Sequence, residues 1–112
     1  MSKQAQERLD ALRELLAKVE AGKSLWEGYS DYHTLQPYHA LISDAYHGSL
    51  DAAKALHEAV LLGWWWKAIS PDPHYVQVGR PNIGVYSGYS DNPARAWLIA
   101  ILKALIRKEE AQ

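Results

Sequence analysis

Gly63-Trp64-Trp65-Trp66-Lys67-Ala68-Ile69-Ser70 is the stretch in which helical periodicity gives way to strand-like alternation. A glycine able to close a helix stands before three consecutive tryptophans, a residue type favoured on pleated, half-buried surfaces. Side chains alternate across a strand, so Trp64 and Trp66 are predicted on one face and Trp65 and Lys67 on the other. Both faces of such a strand are expected to need cover. Trp64 and Trp66 read chiefly as core, and Trp65 with Lys67 is the part of the stretch expected near a ligand.

Downstream, Ser70-Pro71-Asp72-Pro73 is a rigid turn signal, and Tyr75-Val76-Gln77-Val78 alternates as a second strand with both valines facing one way. Gly79-Arg80-Pro81-Asn82 turns again. From Ile83 to Tyr89 a third strand sets Ile83, Val85 and Ser87 against Gly84, Tyr86 and Gly88, and glycines inside a strand point to a bulge or to close approach by another backbone. Three strands joined by short turns predict an antiparallel meander.

Helical patterns flank it. From Ser2 to Ala21 the apolar residues Ala5, Leu9, Leu12, Leu16 and Val19 recur in steps of four and three, and Gly22 is placed to end the helix. The stripe lasts only about two heptads, short of a coiled-coil seam, so packing on the body of the domain is its expected use. Ser24 to Thr34 carries Trp26, Tyr29, Tyr32 and His33, which either fold over an apolar neighbour or wall a ligand site. Leu35 to Tyr46 is predicted as a short helix with Pro37 in its first turn, apolar residues Tyr38, Leu41, Ile42 and Ala45, and a stop at Gly48. Ser49 caps the next helix, with Asp51 in its first turn and Leu50, Ala53, Leu56, Val60 and Leu61 as its buried stripe. The last helix starts at Asn92-Pro93 and runs from Ala94 to about Lys108, with Glu109 to Gln112 expected to fray. It is apolar around most of its circumference, so it is sandwiched or sits at an oligomer interface.

At 112 residues the chain is one domain, 1–112, divided into an amphipathic helix (1–22), an aromatic loop with a short helix (23–48), and a helix, meander and helix (49–108). The fold class is α+β, a three-stranded antiparallel sheet between helices in the order α-α-α-β-β-β-α, an α/β/α sandwich. A net charge of -1 argues against a general polyanion binder, and the absence of Cys removes disulfides, thiol nucleophiles and cysteine zinc sites. No run is apolar enough to span a bilayer and Met1 to Arg8 reads as a polar helix start, so no membrane association and a cytoplasmic location are expected. Five Trp and seven Tyr with no Phe mean that every large aromatic carries a polar handle, as rings do where one side is apolar and the other wet.

Arg13-Glu14-Leu15-Leu16-Ala17-Lys18-Val19-Glu20-Ala21 resembles the opening of the phage ABA sandwich domain family. Ser49-Leu50-Asp51-Ala52-Ala53, Gly63-Trp64-Trp65-Trp66 and Asn92-Pro93-Ala94-Arg95-Ala96 resemble its later blocks in the same order. The resemblance implies a phage or prophage origin, hence the host cytoplasm, and a layered α/β/α arrangement, and it brings no catalytic residues. Trp26 to His47 departs from the family pattern in its aromatic content, so a function special to this chain is expected there.

Five histidines, at 33, 39, 47, 57 and 74, form no paired metal motif, and Asp44 with His47, one turn apart, is the nearest approach to one. Histidine at a helix surface is the expected setting. No nucleophile elbow, phosphate-cradling glycine loop or separated carboxylate pair is present. No enzyme, metal or cofactor is therefore expected. Around the sheet, rings, cations and amides collect, and Trp65, Lys67, His74, Tyr75, Arg80, Tyr86 and Tyr89 are the candidate ligand-binding set, rings for a base and cations for phosphate. An ordinary solvated sheet edge is the competing reading.

Helix, meander and helix is also the order of double-stranded-RNA-binding domains, but Ser90 to Arg95 offers one acid and one base where such domains place lysines, so nucleic acid is not expected. A small sheet and an over-apolar last helix favour a homo-oligomer. The expected function is a non-enzymatic, phage-encoded binding protein for a small anionic or nucleotide-like molecule, in its specific form an anti-defence sponge. The alternative is a protein-interaction or structural module acting through Trp26 to Tyr46.

Overall fold

A computed structural model describes residues 3–26, 38–71 and 74–111 of the chain. Its elements are α1 (Lys3–Ala21), α2 (His39–Tyr46), α3 (Leu50–Val60), β1 (Trp65–Pro71), β2 (His74–Arg80), β3 (Gly84–Ser90) and α4 (Pro93–Glu110). The sheet is antiparallel with β2 at its centre, so the chain is α+β in the order expected. Tyr29, Tyr32, His33 and the place of Pro37 lie outside the described residues.

The helix ends follow local chemistry. Gly22 at φ 70° and Gly63 at φ 85° take the left-handed backbone that closes α1 and ends the α3 turn. Ser49 Oγ accepts from the Ala52 amide at 3.1 Å, and Asn92 Oδ1 accepts from the amides of Ala94 and Arg95 at 2.9 and 3.1 Å. Tertiary contacts revise the stripes. α1 buries Leu15 and leaves Leu16 partly covered, and α2 starts at His39 instead of near Leu35. In α3 Leu50 stands half in solvent while His57 is 3% exposed, the reverse of the expected setting for both. α4 runs to Glu110 with no frayed turn at Glu109, because Arg8 and Arg13 of α1 hold Glu109 and Glu110 at 2.7 and 2.9 Å.

The core is centred on α4. Nine of its 18 residues are buried, with β2 and β3 on one side, α1 on another and α2 and α3 packed alongside. Its apolar circumference is thus satisfied inside one chain. Contact with the sheet is closest at Gly88, where an added Cβ would collide with the Ala96 carbonyl and meet the Ala100 nitrogen and Ile99 Cβ at 2.9 Å. The glycine in β3 is there because a helix backbone lies on the strand. Val76 and Val78 face α4 and are buried. Trp66, opposite Val78, shares that face and packs on Trp97 at 4.3 Å between ring centroids. It is nonetheless 45% exposed, a correction to its expected core placement, because α4 lies over β2 and β3 and reaches little of β1.

Cover was expected on both faces of β1. Among the described residues α4 covers one face of the sheet and no other helix packs extensively on it, so the described elements leave the second face open. The β3 edge is guarded by Lys103, whose Nζ donates to the Ser87 carbonyl at 2.8 Å, and β1 carries a register shift between Ala68 and Ser70 and ends at Pro71. A lysine, an irregularity and a proline each discourage strand addition.

Candidate functional site

Register fixes what the open face presents. Trp65, Gly79 and Val85 lie in one cross-strand row, Lys67, Gln77 and Ser87 in the next, and Tyr75 with Tyr89 in the third. All share the parity opposite to Val76 and Val78. The rows place an apolar ring at one end, a polar line in the middle and paired phenols at the other end. Trp65 lies opposite Gly79, four residues from Tyr75 along β2, which separates the two aromatic ends by about 13 Å.

The exposure of this face is unusual for its composition. Trp65 is 42%, Val85 51% and Tyr89 57% accessible. Trp65 lies over Gly79, where an added Cβ would collide with its ring, so the absence of a side chain on β2 seats the indole flat on the sheet. At the other end the Tyr75 and Tyr89 rings stack at 4.4 Å between centroids and 2° between planes. Gln77 Nε2 donates to the Tyr75 hydroxyl at 2.7 Å, and the Tyr75 and Ser87 hydroxyls share a hydrogen bond at 3.0 Å. Tyr75 is thereby clamped and Tyr89 rests on it. The hydrogen bond with Ser87 and then that with Tyr89 lower the Tyr75 phenol below its ordinary value, while the bond to Tyr75 raises Tyr89.

Charge is distributed as unevenly as exposure. The chain has 13 acidic residues, yet β1, β2 and β3 contain none and carry Lys67 and Arg80. Among the described residues the acids belong to helices and connections, Asp91 beside the Tyr89 end among them. The near-zero net charge hides a locally basic sheet.

Four of the seven candidate residues, Trp65, Lys67, Tyr75 and Tyr89, are brought onto this one face. Arg80 stands exposed at the Trp65 end with the parity of the valines, and His74 is at the opposite end of β2. Tyr86 is on the other face, half-buried with its ring 6.2 Å from that of Trp64, and does not join them. Alternation within β3 already separates Tyr86 from Tyr89. Gln77, one of the amides collected around the sheet, joins the face, and Ser87 and Val85 complete it although the candidate set lacks them and the same alternation names them.

Two further features compete for attention. His57 is enclosed: Trp97 Nε1 donates to its Nδ1 at 3.2 Å, so its Nε2 carries the proton and donates to the Trp64 carbonyl at 2.9 Å. Both ring nitrogens are used, which makes it a structural pin between α3, α4 and the start of β1. The second is a cleft of about 340 Å³ between the C-terminal ends of α1 and α2, walled by Trp26, Tyr46 and His47, with Lys23, Ser24 and Ser43 at its rim. Tyr46 donates to the Lys23 carbonyl at 2.8 Å, and Arg95 donates to the Tyr46 carbonyl at 3.1 Å with its guanidinium 4.1 Å from the Tyr46 ring centroid. Its best polar groups are therefore committed to holding the fold, and two helix C-termini make it a poor seat for an anion.

Among the described residues no cluster of three or more His, Cys, Asp or Glu is placed to hold a metal, and no helix is long and apolar enough to cross a membrane. No known family model, no curated protein and no solved structure matches the chain.

Proposed function

We propose that this protein is a non-enzymatic binding protein whose recognition surface is the open face of the sheet, and whose ligand is a nucleotide-like anion. One observation carries the reading: an acid-free sheet whose uncovered face sets exposed rings, Trp65 and Tyr89, on either side of the polar row Lys67, Gln77 and Ser87. Rings offer stacking to a base, Lys67 offers charge to a phosphate, and the amide and hydroxyl offer directional hydrogen bonds. The phage origin rests on the resemblance of the short blocks in α1, α3, β1 and α4, and the specific form of an anti-defence sponge on analogy with small phage proteins of this kind that sequester nucleotide signals. A homo-oligomer remains part of the proposal, with the small sheet and not α4 as its motive.

Calorimetry and native mass spectrometry against a panel of mono-, cyclic mono- and cyclic dinucleotides test the reading. Retention of a nucleotide, lost in Lys67→Gln and Tyr89→Ala, supports it. An intact protein that binds no nucleotide in any form removes it.

A second reading is favoured by the cleft between α1 and α2: a protein-interaction module that accepts a partner's side chain against Trp26 and Tyr46. A stoichiometric protein captured from host lysate and released by Trp26→Ala supports that reading over the first.

A further inference from the structure

Taking the sheet face as the binding surface, we infer that its ligand is single-stranded nucleic acid, held in extended form across Trp65 and Tyr89, with no enclosed small molecule. Three features of the face converge on this. Among the described residues nothing closes over it: small-molecule sites bury most of their ligand in a concavity, whereas three strands with one uncovered face present a platform. It has two stacking stations about 13 Å apart. A stacked strand spaces its bases about 3.4 Å, so about four stacked steps, or fewer steps of an extended strand, span the two stations, more than a single base covers. The charge is also complementary, with Lys67 in the middle row between the stations and no carboxylate on any strand, while Arg80 at the Trp65 end has the opposite parity.

The neutral total charge argues against nucleic acid, but among the described residues the acids lie off the strands; Asp91, beside the Tyr89 end, opposes a phosphate there and leaves the Lys67 row as the place for one. Stacking on aromatic rings is tolerant of sequence and adds to the weak attraction of a few cations. Tyr89 is prepared for it: its ring is supported from behind by Tyr75, which Ser87 and Gln77 hold in place. The apolar Val85 beside Trp65 widens that station without adding a polar group that would need pairing.

A single cation on the face makes the salt dependence shallow. For a single strand the slope of log K against log salt is about -0.7 per phosphate neutralised, so Lys67 gives about -0.7, roughly a threefold loss between 50 and 200 mM salt. The test is fluorescence anisotropy of labelled mixed-sequence RNA and DNA octamers at several salt concentrations, beside calorimetry with AMP and a cyclic dinucleotide. Expected are octamer binding with that slope, a flatter slope in Lys67→Gln, and weakening on the order of tenfold in Trp65→Ala and in Tyr89→Ala, with circular dichroism showing both folded. Tyr89→Ala and Lys67→Gln alter exposed side chains and keep the test decisive should Trp65→Ala fail to fold. A mononucleotide or cyclic dinucleotide bound as tightly as the octamer overturns the single-strand inference and leaves the binding reading standing. No binding of any of them overturns both. A dimer that dissociates in Trp65→Ala and binds no octamer assigns the face to a second copy of the chain and also overturns it.

Discussion

Replacing Gly88 by alanine tests the packing on which the whole arrangement depends. The added Cβ would stand 2.9 Å from the Ala100 nitrogen and from Ile99 Cβ, where ordinary contact begins at 3.4 Å, and it would collide with the Ala96 carbonyl oxygen more severely. Strand and helix must therefore separate by at least about 0.5 Å, and two of the three obstructing atoms are backbone atoms that cannot rotate away. Overpacking a tight core costs about 1–3 kcal/mol, and backbone obstruction puts this case near the upper end. A loss of about 3 kcal/mol is a large share of the roughly 5–15 kcal/mol that holds a domain folded, and it lowers Tm by roughly 10–20 °C. Thermal and urea denaturation followed by circular dichroism measure it. Gly79→Ala is the matched control: its Cβ meets only the ring of Trp65, an exposed side chain free to swing into solvent, so its cost is about 1 kcal/mol or less. Equal losses in the two variants, or a Gly88→Ala protein within about 1 kcal/mol of the parent, would refute the claim that the helix backbone lies on β3.

Three other perturbations follow from single contacts. His57→Ala leaves the Trp97 indole N–H and the Trp64 carbonyl buried without partners and opens a cavity, a loss of about 2–4 kcal/mol in urea denaturation; a cost below 1 kcal/mol would mean the pin is dispensable. Asn92→Ala removes the cap that accepts from Ala94 and Arg95, and stability should fall by about 1 kcal/mol with α4 otherwise intact by far-ultraviolet circular dichroism. The phenol pair predicts a pH effect of defined sign. Tyr75 is lowered from 10.0, so its contribution to stability is absent at neutral pH, grows as pH rises through its folded value and is complete above 10. Tyr89 is raised, so its contribution is present below 10 and lost as pH climbs through its folded value. Absorbance titration at 295 nm should show an early-ionising phenol that disappears in Tyr75→Phe, and the stability of the parent relative to that variant should increase from neutral pH towards 10. Coincident titration curves would remove the assignment.

Local rules carry far in this chain where the cause is local. The caps at Ser49 and Asn92, the helix-ending glycine at 22, the turn glycine at 63 and the inward valines of β2 depend on a few neighbouring backbone groups and on the period of two, all readable from residue type and order. The same alternation places Trp65 and Lys67 together and, followed through β3, separates Tyr86 from Tyr89 and adds Ser87 and Val85. The candidate site was thus half legible: four of its residues share a face, and Tyr86 was included for its chemistry against its parity.

What the order of residues could not decide is which surfaces meet. An apolar α4 suits a sandwich or an oligomer interface equally, and only its placement between the sheet and α1 settles that its circumference is buried within one chain. His57 looks like a surface histidine until Trp97 and the Trp64 carbonyl, distant in sequence or on another element, close around both of its nitrogens. The last turn of α4 looks frayed until Arg8 and Arg13 arrive from α1. Trp64-Trp65-Trp66 determines by itself that a strand begins and which rings alternate. Burial is a property of what packs opposite, so only the tertiary structure decided that Trp64 is core, that Trp66 sits half-covered at the rim of α4, and that Trp65 lies on Gly79 facing solvent.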